Sequence, residues 1–262
     1  MQARVAGLLG GLLFCATAAV AGAEGGAFKT LRLEGNAVRW QLPAQGRGLV
    51  VSYSVVVQDV AFTGARNCRK MTSLDGLLSS SQIAPAVART EIAAAFAMWQ
   101  AVAGINFREA ESPEQADILI GAQAEPEGWA FADVFYDVLS REPVKPISRA
   151  LVCLNPVRQW KVGFDGDLQR YDLRYTIAHE IGHAIGLDHP VGAGQIMGYR
   201  YEERFRALQT GDISGAIQLY GKRPAEAVIA TSAPSTTQAR RISPARRYAK
   251  RWGSRAFTAP TP

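Results

Sequence analysis

Histidine is almost absent from this chain: three occur in 262 residues, at positions 179, 183 and 189. Any chemistry that needs imidazole is therefore confined to one short stretch. Cysteine is equally scarce, with three in the whole sequence, which excludes a small scaffold held together by disulfides. Beyond residue 20 no segment is long and apolar enough to span a bilayer, so a soluble mature protein is expected. No internal repeat is present, which excludes solenoid and propeller architectures. With 48% apolar residues, the chain has the length and composition for one substantial domain with its own core.

The sequence opens on an export pattern. Residues 1–4 form a short positive head, residues 5–20 an apolar run, and Ala21-Gly22-Ala23 a small-x-small cleavage site, so Glu24 is the expected mature N-terminus. The run holds three glycines, is short for a bilayer span and lacks a basic stop-transfer flank, which separates it from an anchor. A lipoprotein would need a small residue before Cys15, where Phe14 stands. Removal of this segment takes Cys15 with it and leaves Cys68 and Cys153. An even pair in an exported protein reads most simply as one disulfide. The alternatives are a thiolate that caps a metal in a latent form and two free buried thiols.

The net charge of +6 is unevenly placed, because residues 222–262 carry nine Lys or Arg against one Glu and leave the body slightly acidic. In this tail Arg240, Arg241, Arg246, Arg247, Lys250, Arg251 and Arg255 alternate with Tyr248, Trp252 and Phe257 in an Ala, Pro, Ser and Thr background. Such composition without periodicity reads as a disordered extension. The basic and aromatic mixture also suits attachment to an anionic surface. Nothing points to specific nucleic-acid recognition, and a monomer is expected.

Between these ends the periodicities alternate. Residues 48–57, with Val51, Tyr53, Val55 and Val57 in alternation, read as a half-buried strand. Residues 58–81 read as a long irregular connection. A helix is expected from Ile83 or Pro85 to Ala103, since Val87, Ile92, Ala95, Phe96 and Trp99 recur at helical spacing and Gly104 ends it. Strands follow at Ile105 and Phe107, at residues 116–120, at 129–136 and at 150–154. Residues 137–148, with two prolines and several charges, read as a loop. A second helix should start at Asp172 as N-cap and run to about Ile185, with Leu173, Ile177, Ile181, Ala184 and Ile185 on one face. A third should start near Thr210 or Asp212 and stop at Gly221. This order gives an α+β fold around a small mixed sheet.

The chemistry is concentrated in His179-Glu180-Ile181-Gly182-His183-Ala184-Ile185-Gly186-Leu187-Asp188-His189. Two histidines four apart on a helix lie one turn above the other, so both imidazoles reach a single metal ion. Gly186 permits an open backbone that stops the helix, and the turn brings His189 back as third ligand. Three neutral imidazoles leave a tetrahedral zinc with one position for water. Glu180 sits beside that position as the base that takes the water's proton and later hands it to the leaving amine. A purely structural zinc would close all four positions, and no fourth ligand is evident nearby.

The motif resembles that of the metzincin clan and, within it, the matrixins (peptidase M10 type). Gly186 and His189 complete the extended metzincin pattern, and Ile196-Met197 falls where the family has its Met-turn. Residues 208–221 resemble the matrixin C-terminal helix; residues 96–99 and 116–118 resemble its first helix and third strand. The resemblance implies a metzincin-like catalytic domain: a small mixed twisted sheet, an active-site helix and a C-terminal helix. It further implies that Met197 floors the zinc without binding it and that Tyr201 lines a specificity pocket. Pro190 and Tyr199 are instead similar to serralysins, where such a tyrosine approaches the metal, which makes Tyr199 a candidate oxyanion donor. Substrate would add itself as a strand along Trp129, Ala130, Phe131 and Ala132. The second zinc of matrixins would need histidines that this chain lacks, and no feature fixes a calcium ion.

The expected organisation is a signal peptide (1–23), a short lead (24–37), a zinc metallopeptidase domain (38–221) and a basic tail (222–262). The expected activity is secreted, zinc-dependent hydrolysis of peptide bonds in protein or peptide substrates. The alternatives are a catalytically silent zinc-containing binding module and a cell-wall peptide amidase.

Overall fold

A computed structural model describes residues 27–44 and 48–224. The expected signal segment and nearly all of the basic tail lie outside the described residues. In chain order the elements are β1 (Lys29–Thr30), β2 (Arg32–Leu33), β3 (Asn36–Trp40), β4 (Leu49–Val55), β5 (Val60–Ala61) and β6 (Lys70–Thr72). Then come α1 (Asp75–Ser80), α2 (Pro85–Val102), β7 (Ile105–Glu109), β8 (Ile118–Gln123), β9 (Ala130–Tyr136) and β10 (Lys145–Leu154). The chain continues through β11 (Trp160–Lys161), β12 (Tyr171–Asp172), α3 (Leu173–Ala184), β13 (Leu187–Asp188) and α4 (Thr210–Tyr220).

The mixed sheet runs β2-β3-β10-β8-β4-β7, with β9 added on β10 and the β5·β6 pair joined to β8. Strands β7, β4, β8 and β10 are mutually parallel, whereas β9 is antiparallel to β10. Every residue of β8 is buried, as expected of a strand covered on both faces. Alternation divides the core accordingly. Ile118, Ile120, Ala150, Val152 and Leu154 face the main core with α2 and α3, while Leu119, Leu151 and Cys153 face a smaller cluster with Val56, Cys68 and Met71.

Helix α2 begins on Pro85 at its first turn, where a missing N–H costs nothing, and buries Ala88, Ile92, Ala95, Phe96 and Trp99. Val87, expected on that face, is exposed. Against α2 packs α3, and the Trp99 indole donates to Ala178 O of α3 (2.9 Å).

Three stretches depart from the sequence reading. Residues 58–81 are not wholly irregular: they hold β5, β6 and α1. Strand β10 starts at Lys145, inside the expected loop, because its first residues pair with Val38, Arg39 and Trp40 of β3. The expected lead is drawn into the fold through β1, β2 and the start of β3, with β1 paired antiparallel to β13.

Candidate active site

Helix α3 carries the site. Asp172 caps it, its carboxylate accepting from Tyr175 N (2.8 Å), and its apolar face is sealed against α2. That rigid seat points Thr176, Glu180 and His183 toward one cleft, which also receives His179. The helix stops at Ile185. Gly186 follows at φ +101°, and a Cβ there would stand 2.4 Å from Val38 O of β3. Only glycine satisfies both the backbone angle and the approach. The turn is held by Gly186 N to His183 O (2.9 Å) and Leu31 N to Gly186 O (2.8 Å). From it, β13 leads back to His189.

The three imidazoles converge through their Nε2 atoms, which lie 3.0 Å (His179 to His189), 3.2 Å (His179 to His183) and 3.2 Å (His183 to His189) apart. Nδ1 of His179 faces Ile196 O (2.7 Å) and Nδ1 of His183 faces Leu187 O (2.9 Å). A carbonyl can only accept, so each Nδ1 carries the proton and each Nε2 presents a lone pair. Burial, reinforced by the neighbouring imidazoles, lowers the pKa of His179 to about 3 and that of His183 to about 4; burial likewise lowers that of His189. Three neutral nitrogens at this spacing, two of them on rings whose second nitrogen is fixed by a carbonyl, are the donor set that would suit zinc. Among the described residues this is the one group of His, Cys, Asp or Glu side chains able to hold a metal.

Glu180 is 6% exposed and borders the same cleft. Burial raises its carboxyl pKa to about 8, a push that an adjacent cation opposes. Met197 is buried under α3, and a Cβ on Gly182 would come within 2.1 Å of its Sδ. Glycine on the helix thus lets the thioether lie directly against the backbone between the two helical histidines. Strand β9 pairs only with β10 among the described residues, so its other edge is open to the cleft. Ala130, Phe131 and Ala132 lie on β9 and Trp129 just ahead of it. Tyr199 is 80% exposed and meets the His189 ring edge-on at 5.2 Å. Tyr201 has its hydroxyl engaged, accepting from Asp172 N and donating to Glu203 Oε1, both at 2.8 Å. Its ring stacks on Tyr171 (4.1 Å), which stacks on Trp129 (3.7 Å).

Cys68 and Cys153 form a disulfide with Cα atoms 5.7 Å apart. Of the three alternatives for this pair, the bridge is the one realised. It pins residues 66–68 beneath the sheet, and Asp133 of β9 completes the anchor by accepting from Arg66 N, Asn67 N and Cys68 N, each 2.8 Å.

Several supporting groups escaped the sequence reading. Asp212 is buried, and its carboxylate accepts from Ile196 N (2.9 Å), Met197 N (3.0 Å) and Gln209 N (2.8 Å). Burial raises its pKa against the pull of these donors. The same turn supplies the Ile196 carbonyl that orients His179, so Asp212 reaches the site through two backbone bonds. Lys29 pairs with Asp188 (2.6 Å) beside the third histidine.

The sequence pattern of matrixin, peptidase family M10, fits residues 76–221, more than half of the chain. The chain belongs to the matrixin family. Among its relatives are metalloendoproteinase 1-MMP of Arabidopsis thaliana (28% identical, covering 52% of this chain and 38% of the relative) and matrix metalloproteinase-23 of Homo sapiens (28%, covering 53% and 38%). A shorter stretch is 44% identical to the 72 kDa type IV collagenase of Gallus gallus, covering 26% of this chain and 10% of that protein. The chain thus spans well under half the length of these relatives. Matrixins are zinc-dependent peptidases, and the α+β architecture and three-histidine group agree with that family.

Proposed function

We propose that this chain is a secreted zinc endopeptidase that hydrolyses internal peptide bonds of protein substrates, with Glu180 as proton carrier. The observation that carries the reading is the convergence of three neutral Nε2 atoms within 3.2 Å beside a buried Glu180, in a cleft bordered by an open strand edge. When bound at His179, His183 and His189, zinc supplies Lewis acidity that lowers the pKa of a coordinated water toward about 7 and polarises a carbonyl.

The other steps belong to the protein. An extended peptide lies along β9 as an added strand, its backbone bonding to the open edge near Ala130, Phe131 and Ala132. The Glu180 carboxylate accepts the proton of the attacking water and delivers it to the leaving nitrogen. The carbonyls of Ile196 and Leu187 keep His179 and His183 in one tautomer and orientation. Met197 closes the floor with a group that neither titrates nor competes for the proton. Tyr199, beside His189, donates its hydroxyl to the developing oxyanion. Tyr201, with its hydroxyl occupied, offers only its ring to the substrate.

Export agrees with the small-x-small site at residues 21–23 and with the Cys68–Cys153 bridge, which persists in oxidising compartments. No helix among the described residues is long and apolar enough to cross a membrane. The basic tail, outside the described residues but for its first few, is proposed to hold the enzyme to anionic surfaces. Stripping zinc with a chelator should abolish cleavage of a denatured protein substrate, and equimolar zinc should restore it. Cleavage that survives complete zinc removal would refute the proposal.

A further inference from the structure

Away from the histidines, one buried cation ties together two segments that wall the cleft. Lys161 lies on β11 with its side chain 6% exposed. Its ammonium donates to the carboxylates of Asp165 and Glu203 and to Asp167 O, the last at 2.8 Å. Residues 162–170 leave β11 and return at β12, where Lys161 pairs in register with Asp172. Within this excursion Gly166 has φ +83°, and the N–H groups of Asp165 and Gly166 donate to Glu203 Oε2 at 3.1 and 2.7 Å. Arg170 adds an exposed bond to Asp165 and a part-buried one to Asp167.

Glu203 is the hinge between this excursion and the segment after Met197. Its side chain is also 6% exposed; one oxygen takes the excursion's N–H groups, and the other takes Lys161 and the Tyr201 hydroxyl. That hydroxyl accepts in turn from Asp172 N, the cap of α3. A bonded path therefore runs from Lys161 through Glu203 and Tyr201 to the start of the helix that carries His179 and His183. Leu168, Tyr171 and Tyr201, which this path holds in place, all border the cleft.

Two carboxylates and a backbone carbonyl gathered on one positive centre are the oxygen donors a hard cation selects. A buried carboxylate such as Glu203 needs that counter-charge, and here the chain carries it. We propose that Lys161 is a positioning residue. Its tethered ammonium does for residues 162–170 and 201–203 what a bound divalent cation would otherwise do, and so fixes the spacing of Tyr171 and Tyr201 where the cleft receives substrate. Burial lowers the pKa of Lys161, but the bonds and charges of Asp165 and Glu203 outweigh it and leave it raised, so the ammonium persists at working pH.

The cleavage arm of the test rests on the peptidase reading; the melting arm does not. Zinc-loaded full chain is compared with Lys161→Ala, which empties the oxygen cage, and Lys161→Met, which fills it without charge. Both variants should melt roughly 10 °C lower. Millimolar calcium should return at least half of that loss to Lys161→Ala, while leaving wild type and Lys161→Met unmoved. For a peptide spanning both sides of the scissile bond, KM should rise roughly tenfold, with kcat and zinc affinity held within about twofold. Melting and KM equal to wild type would overturn the proposal, as would a fall in kcat and zinc content at unchanged KM. Lowered melting that calcium does not restore in Lys161→Ala overturns the cation equivalence. Should Lys161→Ala fail to fold, Glu203→Gln must show the same rise in KM, and an unchanged KM there refutes the path. If wild type cleaves no peptide, the peptidase reading fails and the melting and calcium results still judge Lys161.

Discussion

Replacing Gly186 by alanine adds one methyl group at the point where the metal-binding helix ends, and the structure says where that methyl goes. At φ +101° an L-residue is strained, and the Cβ would stand 2.4 Å from Val38 O, well inside contact distance. The carbonyl is no flexible neighbour, since Val38 is fully buried on β3 and pairs with Lys145 of β10. The backbone strain amounts to about 1–3 kcal/mol and the overpacking to another 1–3 kcal/mol. Together they predict a loss of about 2–6 kcal/mol, or a melting temperature lower by roughly 4–24 °C for a domain of this size. The damage should reach the metal as well. Relief of the clash must move the turn, which breaks the Leu31 N bond to Gly186 O and displaces the β13 residues that deliver His189. Zinc affinity, measured by competition with a chromogenic chelator, should fall about 10- to 100-fold. Thermal melts with and without zinc separate the two effects, because the strain is present in both and the ligand loss only in the second. A Gly186→Ala protein that melts within 2 °C of wild type and binds zinc within about twofold of it would refute the close-approach argument.

Three further outcomes follow from the same contacts. Replacing both Cys68 and Cys153 by serine opens a bridge spanning 85 residues, which should cost about 4–5 kcal/mol by loop-closure entropy; a urea midpoint unmoved by the double substitution would contradict this. Glu91 is pushed up by burial but pulled further down by Arg174 and Arg206, so its folded-state pKa is net lowered. Its contribution is therefore full above its unfolded pKa of about 4.3 and lost as pH falls through the lower folded value. Glu91→Gln should flatten the acid side of the melting-temperature curve, and parallel curves for the two proteins would exclude the role. Tyr199→Phe should lower kcat about tenfold, with zinc content unchanged, because an exposed donor is worth less than an enclosed one; an unaltered kcat makes Tyr199 a packing residue of the turn.

What the sequence disclosed and what it withheld differ in range. Helices α2 and α3 were legible to within a residue or two because their signals are local: Pro85 at the start of one, Asp172 capping the other, and apolar residues three and four apart. The convergence of His179, His183 and His189 was legible because spacing on one helix plus a glycine turn encodes it. Strand β10 was misread at its start because Pro143, Pro146 and nearby charges carry turn chemistry, yet Pro146 serves a strand through its carbonyl, which accepts from Asp137 N (2.8 Å). The supporting carboxylates were hidden for a related reason. Asp212, Asp133 and Glu203 each take backbone N–H groups from segments 15 to 67 residues away, and no local pattern marks a carboxylate whose partners are distant. The β1 contact with β13 is hidden likewise, since a two-residue strand has no period to detect.

The central claim is that His179, His183 and His189 hold zinc for a reaction whose proton Glu180 carries. Glu180→Gln tests it most directly, because the substitution keeps the shape of the side chain and removes the base. Zinc stoichiometry by elemental analysis and cleavage of a casein substrate should be measured on the same preparation. One zinc per chain is expected in both proteins, with kcat lowered about 10²- to 10⁴-fold in the variant. Cleavage at the wild-type rate by the variant, or wild-type protein active without zinc, would contradict the claim.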